Sequence, residues 1–385
     1  MSGTGEIVAG FMPLSDSAIL VAAAELGFAE NENLKLTLVR ETSWANIRDR
    51  VAVGHFQAAH MLAPMPIASN LGLSPLPVPI VVPLAVGLGG NAVTVSSALF
   101  EKMSAVSHVS VLDAAGRGRA LADVIAARKA SGEPMLRFAV VHPFSAHNYE
   151  LRYWLAASGI HPEKDVEIIV VPPSFMADAL KAGVIDGYCV GEPWNSVAVA
   201  EGTGHFATVK AAIWKLSPEK VLGLKKDWAE KNEEALHALL RAMYHAAVWC
   251  QEPANRFQLA RLLSKRQYLG LREDVILPAL EGKLQIGGGE SADIPNFFVP
   301  AAHHATFPWK SHALWFYSQM VRWGHADGSP TNQALARNSY RPDIYRAALQ
   351  PLDIPLPEAD MKSEESDGVS AFFDGAQFDP ENPLA

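Results

Sequence analysis

The chain has 385 residues, 49% of them apolar and 19% charged, with a formal net charge of −9. Single hydrophobic cores rarely grow past about 250–300 residues, so this length predicts two lobes with separate cores. An acidic chain lacks the clustered Lys and Arg that displace counterions from a phosphate backbone, which excludes a broad surface for direct contact with RNA or DNA.

The first residues show neither the basic start nor the long apolar run of a secretory signal, and Glu6 and Asp16 interrupt their apolar character. Taken as a native start, this predicts a cytoplasmic protein. Glu6 to Met12 reads as a strand, Ser17 to Leu26 as a helix ending at Gly27, and Leu34 to Val39 as a second strand. Ala45 to Val53 has helical spacing and stops at Gly54, after which Phe56 to Leu62 runs as a short buried strand into Ala-Pro-Met-Pro. From Val51 to Phe100 there is no Asp, Glu, Lys or Arg, a pattern that invites a membrane span. Pro64, Pro66, Pro75, Pro77, Pro79 and Pro83 exclude it, because each removes a backbone donor and restricts its predecessor.

The order helix, Gly, strand, Pro returns later: Met176 to Ala182 is helical, Gly183 stops it, and Ile185 to Val190 leads into Glu192-Pro193-Trp194. The segments VAVGHFQAAHMLAPMP and LKAGVIDGYCVGEPWN therefore read as one supersecondary unit used twice. Two lobes of like construction follow, each ending a strand at a cleft, where open α/β sheets hold ligands. The second lobe is expected over 94–200, with Arg137 to His142 and Val166 to Val171 as strands and Glu150 to Ser158 as a helix. The first lobe takes 1–93 and 201–350, including helices at Glu230 to Trp249, Asn255 to Leu263 and His312 to Trp323. From Pro351 onward nine acidic residues stand against one Lys, which predicts a solvated acidic arm over 351–385, pinned by Phe372 and Phe373.

Because the charge-free stretch offers only neutral donors, an anion in the cleft must find positive charge elsewhere. Lys220, after Ser217-Pro218-Glu219 and before Gly223, reads as a loop lysine at the cleft; a solvated surface lysine is the plain alternative. Trp44 follows Ser43, a natural N-cap, so its indole can reach the helix opening, or it can simply be core. Asn91 follows Gly89-Gly90, a pair that lets backbone approach a ligand while the amide donates, or that makes an ordinary turn. His147 precedes a helix and can donate there or lie exposed. Gly191 can present a bare N–H at a strand end, or be a turn glycine.

Catalytic signatures are missing: GxSxG, a P-loop, GxGxxG after a strand, HExxH and CxxC are all absent. His303-His304 with His312 fits no compact zinc spacing, so no metal or other cofactor is expected. Cys189 and Cys250 read as structural or incidental.

The segments GFMPLSDSA, TSWANIRD, AAHMLAPMP, GNAVTVS, HNYELRYWLAASGIHP, CVGEPWN, PEKVLG, ATFPWKSHALWFYSQMVRWG and FFDGAQFDPENP span nearly the whole chain in order. Together they resemble the nitrate- and bicarbonate-binding proteins of cyanobacterial ABC transporters and their cytoplasmic relatives, the NasS-type nitrate sensors. The resemblance implies an α/β fold of the periplasmic-binding-protein type, with two α/β lobes joined by a hinge and an anion in the interlobe cleft. It also implies an anion held by Trp, Gln, His, a Gly backbone and Lys, which fall by motif on Trp44, Asn91, His147, Gly191 and Lys220. Asn91 departs from the pattern, being one methylene shorter than Gln, which puts ligand distance or anion preference in doubt. Bicarbonate binders are expected to lack the lysine and recruit a metal, so Lys220 favours nitrate or nitrite.

What the resemblance implies for function is a cytoplasmic, non-enzymatic nitrate/nitrite sensor. Such a sensor holds a NasT-type antiterminator inactive and releases it on anion binding, without itself touching nucleic acid or membrane. The solute-binding subunit of a nitrate or bicarbonate ABC transporter is the alternative. An enzyme on the same fold, such as a pyrimidine-precursor synthase, is a third.

Overall fold

The computed structural model describes residues 5–366 and 368–385; Met1 to Thr4, part of the segment on which the signal reading rests, lie outside the described residues. Ten strands form two mixed sheets. The first contains β1 (Gly5–Phe11), β2 (Leu34–Arg40), β3 (Ala58–Leu62), β4 (Ile80–Ala85) and β10 (Lys220–Lys225), ordered β2-β1-β3-β10-β4. The second contains β5 (Asn91–Ser96), β6 (Leu136–Val140), β7 (Val166–Val170), β8 (Gly187–Gly191) and β9 (Gly204–Val209), ordered β7-β6-β8-β5-β9. In each sheet the first two pairings are parallel and the last two antiparallel, so only the fourth strand runs against the rest. The lobes thus share one topology, and β10 and β5 are the strands through which the chain closes one sheet or opens the other.

The two similar segments occupy equivalent places. Helix Trp44–Ala52, Gly54 at φ 81°, central strand β3 and helix Pro64–Asn70 match helix Met176–Lys181, Gly183 at φ 68°, central strand β8 and helix Trp194–Ala200. Each glycine ends its helix in the left-handed region, which a side chain disfavours. The charge-free stretch supplies β3, β4 and β5, whose residues are buried almost throughout, and a strand covered on both faces has no place for a solvated charge.

The second sheet runs from Asn91 to Val209, beyond the 94–200 limits expected from the sequence at both ends. Two segments cross between the lobes, 86–90 and 210–219. They lie side by side: Val86 N–H donates to Lys220 O at 2.8 Å and Gly89 N–H to Ser217 O at 3.0 Å. Gly89 is at φ 78°, and a Cβ there would stand 2.3 Å from Phe297 O, so only glycine fits.

One apolar core continues from Trp44 and Leu62 of the first lobe into Phe138 and Tyr188 of the second, and a further core surrounds helix Glu233–Gln251. Past Pro351, the acidic segment lays Phe372 against Trp214, Tyr153 and Trp315, with centroids 5.0, 5.4 and 5.9 Å away. Its Glu364 is buried, accepting from the Trp214 indole at 3.1 Å and lying 3.2 Å from His312. No helix among the described residues is long and apolar enough to cross a membrane.

Candidate functional site

Trp44, Asn91, His147, Gly191 and Lys220 come from five different elements and converge between the lobes. Trp44 opens its helix after Ser43, whose Oγ accepts the Asn46 N–H. The cap aims the first turn inward, and the indole is buried with Lys220 Nζ 5.4 Å from the ring centre and His60 stacked at a tilt 5.6 Å away. His147 lies in the first turn of helix Ala146–Ala157, capped by Ser145, whose Oγ accepts the Asn148 N–H at 3.0 Å. It is fully buried rather than exposed.

Asn91 begins β5 and Gly191 ends β8, and the antiparallel register sets them directly opposite each other. A Cβ on Gly191 would stand 3.1 Å from Asn91 Oδ1 and 3.5 Å from Asp16 Oδ2, so the glycine keeps space open where the site narrows. Lys220 is not on a loop: it is the first residue of β10, with 0% exposure, and Gly223 sits inside that strand.

Nor is Lys220 a lone charge facing neutral groups, as the sequence suggested. Its Nζ donates to Asp16 Oδ2 at 2.8 Å and Glu219 Oε1 at 2.6 Å. Glu219 is the hub. Its Oε2 accepts from Lys210 at 2.7 Å and from the Asn91 amide, while its Oε1 lies 3.2 Å from His147 Nε2. Lys210 also meets Glu150 Oε1 at 2.9 Å and Pro218 O at 2.6 Å. Asp16 Oδ1 lies 3.1 Å from His60 Nε2.

Asp16, His60, Glu150, Lys210 and Glu219 escaped the sequence reading. All but Lys210 carried a signal. His60 is a polar residue inside an apolar run, Asp16 follows the first strand, Glu219 adjoins Lys220, and Glu150 is three residues past His147. What was missing was any sign that residues so far apart share one volume.

Burial opposes the charge on every ionisable group here, and pairing decides which groups keep it. For Asp16, burial is outweighed by Lys220 and His60, which hold the carboxyl down at about 2. Glu219 is likewise driven well below the usual carboxylate range, because His147, Lys210 and Lys220 outweigh its burial. Lys210 is buried yet raised by Glu150 and Glu219. Burial wins at Glu150, whose carboxyl is raised to about 8 despite Lys210, with Glu219 adding repulsion. Burial also dominates at His147, which is pushed down to about 3 with Lys220 and Lys210 assisting against Glu219, so it is neutral at pH 7.

Several polar atoms in this volume find no hydrogen-bond partner among the described residues: Trp44 Nε1, both ring nitrogens of His147 and of His60, and Asn91 Oδ1. The histidines are close to carboxylates but not aligned with them. An indole N–H can only donate, and leaving it buried without an acceptor costs about 1–3 kcal/mol. The arrangement therefore favours a small ligand rich in acceptors, placed between Trp44, His147 and Lys220.

Residues 3–264 match the NMT1-like family. The nitrate/nitrite binding protein NrtA of Synechococcus elongatus is 35% identical over 390 residues, an alignment covering 98% of this chain and 84% of that protein. The bicarbonate transport ATP-binding protein CmpC of Synechocystis is 34% identical over 98% of this chain, which spans 53% of CmpC. The crystal structure of the periplasmic nitrate-binding protein NrtA from Synechocystis superposes with a TM-score of 0.89 at 30% identity, covering 99% of this chain and 97% of that one. The chain belongs to the NMT1-like family, in the group of nitrate/bicarbonate ABC-transporter substrate-binding proteins with two α/β lobes.

Proposed function

We propose that the chain binds nitrate or nitrite reversibly between its lobes, held by Trp44, Asn91, His147, Gly191 and Lys220, and performs no chemistry on it. The single observation that carries this reading is the buried Trp44 indole N–H, unpartnered among the described residues and adjacent to Lys220. Nitrate and nitrite bring acceptors and one negative charge, which match a donor-only indole, an ammonium group and a backbone N–H. The names of the NrtA relatives support the same ligand. Calorimetric titration with nitrate, nitrite and bicarbonate tests it. Saturable heat with nitrate or nitrite is expected, and the absence of binding by both overturns the reading.

We further propose that the anion-bound state is read by a partner protein. Resemblance to the NasS-type sensors supports release of a NasT-type antiterminator in the cytoplasm. The NrtA relatives support delivery to a membrane transporter. If antiterminator and anion favour different lobe arrangements, linkage makes each weaken the other, typically about 5- to 150-fold. Size-exclusion of the chain with its cognate antiterminator, with and without nitrate, decides: a complex that nitrate dissociates supports the sensor, and one that never forms leaves the transporter subunit.

A further inference from the structure

The buried cluster joins three carboxylates, Asp16, Glu150 and Glu219, to two ammonium groups, Lys210 and Lys220, all within direct pairing distance. With every carboxylate ionised, these five groups carry one excess negative charge. In the dry interior that charge acts on an arriving anion at short range and with little screening. A single proton on the cluster makes it neutral and removes the repulsion. Glu219 meets Lys210, Lys220 and the Asn91 amide, whereas Glu150 meets Lys210 alone, so Glu150 is the carboxylate that takes that proton.

We infer that the site takes its anion together with a proton, carried by Glu150 beside Lys210. This rests on the nitrate-binding reading above and adds a second ligand to the same site. Glu150 is raised to about 8 by burial and by Glu219, so the proton is present at pH 7 and is lost as pH rises. Bound nitrate, being negative, holds it more tightly. Binding above pH 8 must then draw a proton from solution.

Around Glu150 and Glu219, the neighbours with displaced titrations are displaced away from this window. Lys210, on helix Lys210–Ile213, is raised above its ordinary value. Asp16, after β1, titrates at about 2, and His147, on the helix that carries Glu150, at about 3. Cys189 on β8 is pushed up by burial and by Glu150, Tyr340 is pushed up by burial beside Glu219, and His312 beside Lys210 is lowered by burial. Lys220 on β10 completes the cluster, and His60 on β3 faces Asp16. Glu192, raised to about 7 by burial, is a separate buried carboxyl held by the Ser196 N–H, and it serves as a control.

The test is calorimetric titration of the full chain with sodium nitrate at pH 6.5, 8 and 9, each in buffers of different ionisation enthalpy. Nitrate itself does not titrate in this range, so any proton taken up belongs to the protein. The expected result is proton uptake that rises towards one per anion by pH 9, with affinity falling up to ~10-fold per pH unit above pH 8. Glu150→Gln fixes a neutral group in place and is expected to abolish the uptake and flatten the affinity profile, whereas Glu192→Gln retains both. Nitrate binding with no uptake and undiminished affinity at pH 9 overturns the inference while leaving the nitrate reading intact. Uptake lost in Glu192→Gln and kept in Glu150→Gln overturns it as well. Failure of nitrate to bind at any pH defeats the underlying reading instead.

Discussion

At the scale of single residues, Lys220 shows how pairing alters what a substitution means. Asp16 and Glu219 share its ammonium in a fully buried setting, so Lys220→Ala leaves two carboxylates short of a counterion. Breaking a buried pair in this way costs about 3–5 kcal/mol, which should appear as a lowered melting temperature as well as lost nitrate affinity. Undiminished stability in that variant would show that the pairing does not hold in solution. Trp44→Phe is the cleaner probe of the anion. It keeps an aromatic ring against Lys220 and His60 and removes the indole N–H together with part of the ring. A hydrogen bond to a charged group contributes about 1.5–3 kcal/mol, so nitrate affinity should fall by roughly one to two decades, while the smaller ring in a buried site lowers the melting temperature as well. Unchanged affinity would place the anion elsewhere.

At the scale of elements, the site is built by strand ends and helix starts. β5 and β8 meet in a register that sets Asn91 against Gly191, and helix Ala146–Ala157 points its capped first turn at Glu219. Gly191 does not need left-handed backbone, so alanine there introduces crowding and no backbone strain. Its Cβ would press on Asn91 Oδ1 at 3.1 Å and on Leu14 at 3.4 Å. Overpacking of this kind costs about 1–3 kcal/mol at most. Because the added methyl occupies the narrow part of the site, Gly191→Ala should weaken nitrate by about tenfold or more, the equivalent of 1.4 kcal/mol, while the chain still folds. Calorimetry beside circular dichroism checks both halves.

At the scale of the whole molecule, the lobes hold each other through Ser15 N–H to Glu192 O at 2.7 Å, the Trp194 indole to Pro13 O at 3.1 Å, and Lys210 to Glu219. A ligand that contacts both lobes favours this closed arrangement, so the radius of gyration from solution scattering should shrink on adding nitrate. No change at saturation would mean that closure does not depend on the anion.

Stability against pH follows from the shifted groups. His147 and His142 are lowered from 6.5 to about 3 and about 4 by burial, so below pH 6.5 the unfolded chain binds more protons at these sites and stability is lost on acidification. Glu150 and Glu192 are raised from 4.5 to about 8 and about 7, so above pH 4.5 the folded chain binds more protons at these sites and stability is lost as pH rises. The two effects oppose each other between 4.5 and 6.5. Below that window the histidines are joined by Asp16 and Glu219, whose lowered carboxyls also lose stability in acid. The anion-free protein should therefore be most stable between about pH 4.5 and 6.5, with unfolding midpoints in urea falling at pH 3.5 and at pH 8. A maximum at pH 8 would contradict the protonation of Glu150 and Glu192.

The amino-acid sequence by itself determined part of the elements and their order: β1 and β2 around a helix, the repeated helix, glycine, strand and proline, and the buried strand β3, whereas β4, β5, β9 and β10 went unread. These depend on spacing between near neighbours, on glycines that end helices and on prolines that break them, all of which act within a few residues. The sequence also placed five candidate residues through their motifs. The tertiary structure alone decided what surrounds them. That Asn91 faces Gly191 depends on the register of two strands some hundred positions apart, and that Lys220 is buried depends on β10 entering a sheet made otherwise from the first 85 residues. Asp16, Glu150, Lys210 and Glu219 read as ordinary polar residues until folding gathers them. Their pairing is a property of a shared, water-poor volume, where each charge persists only because the others are there, and no local pattern records which distant charges will meet.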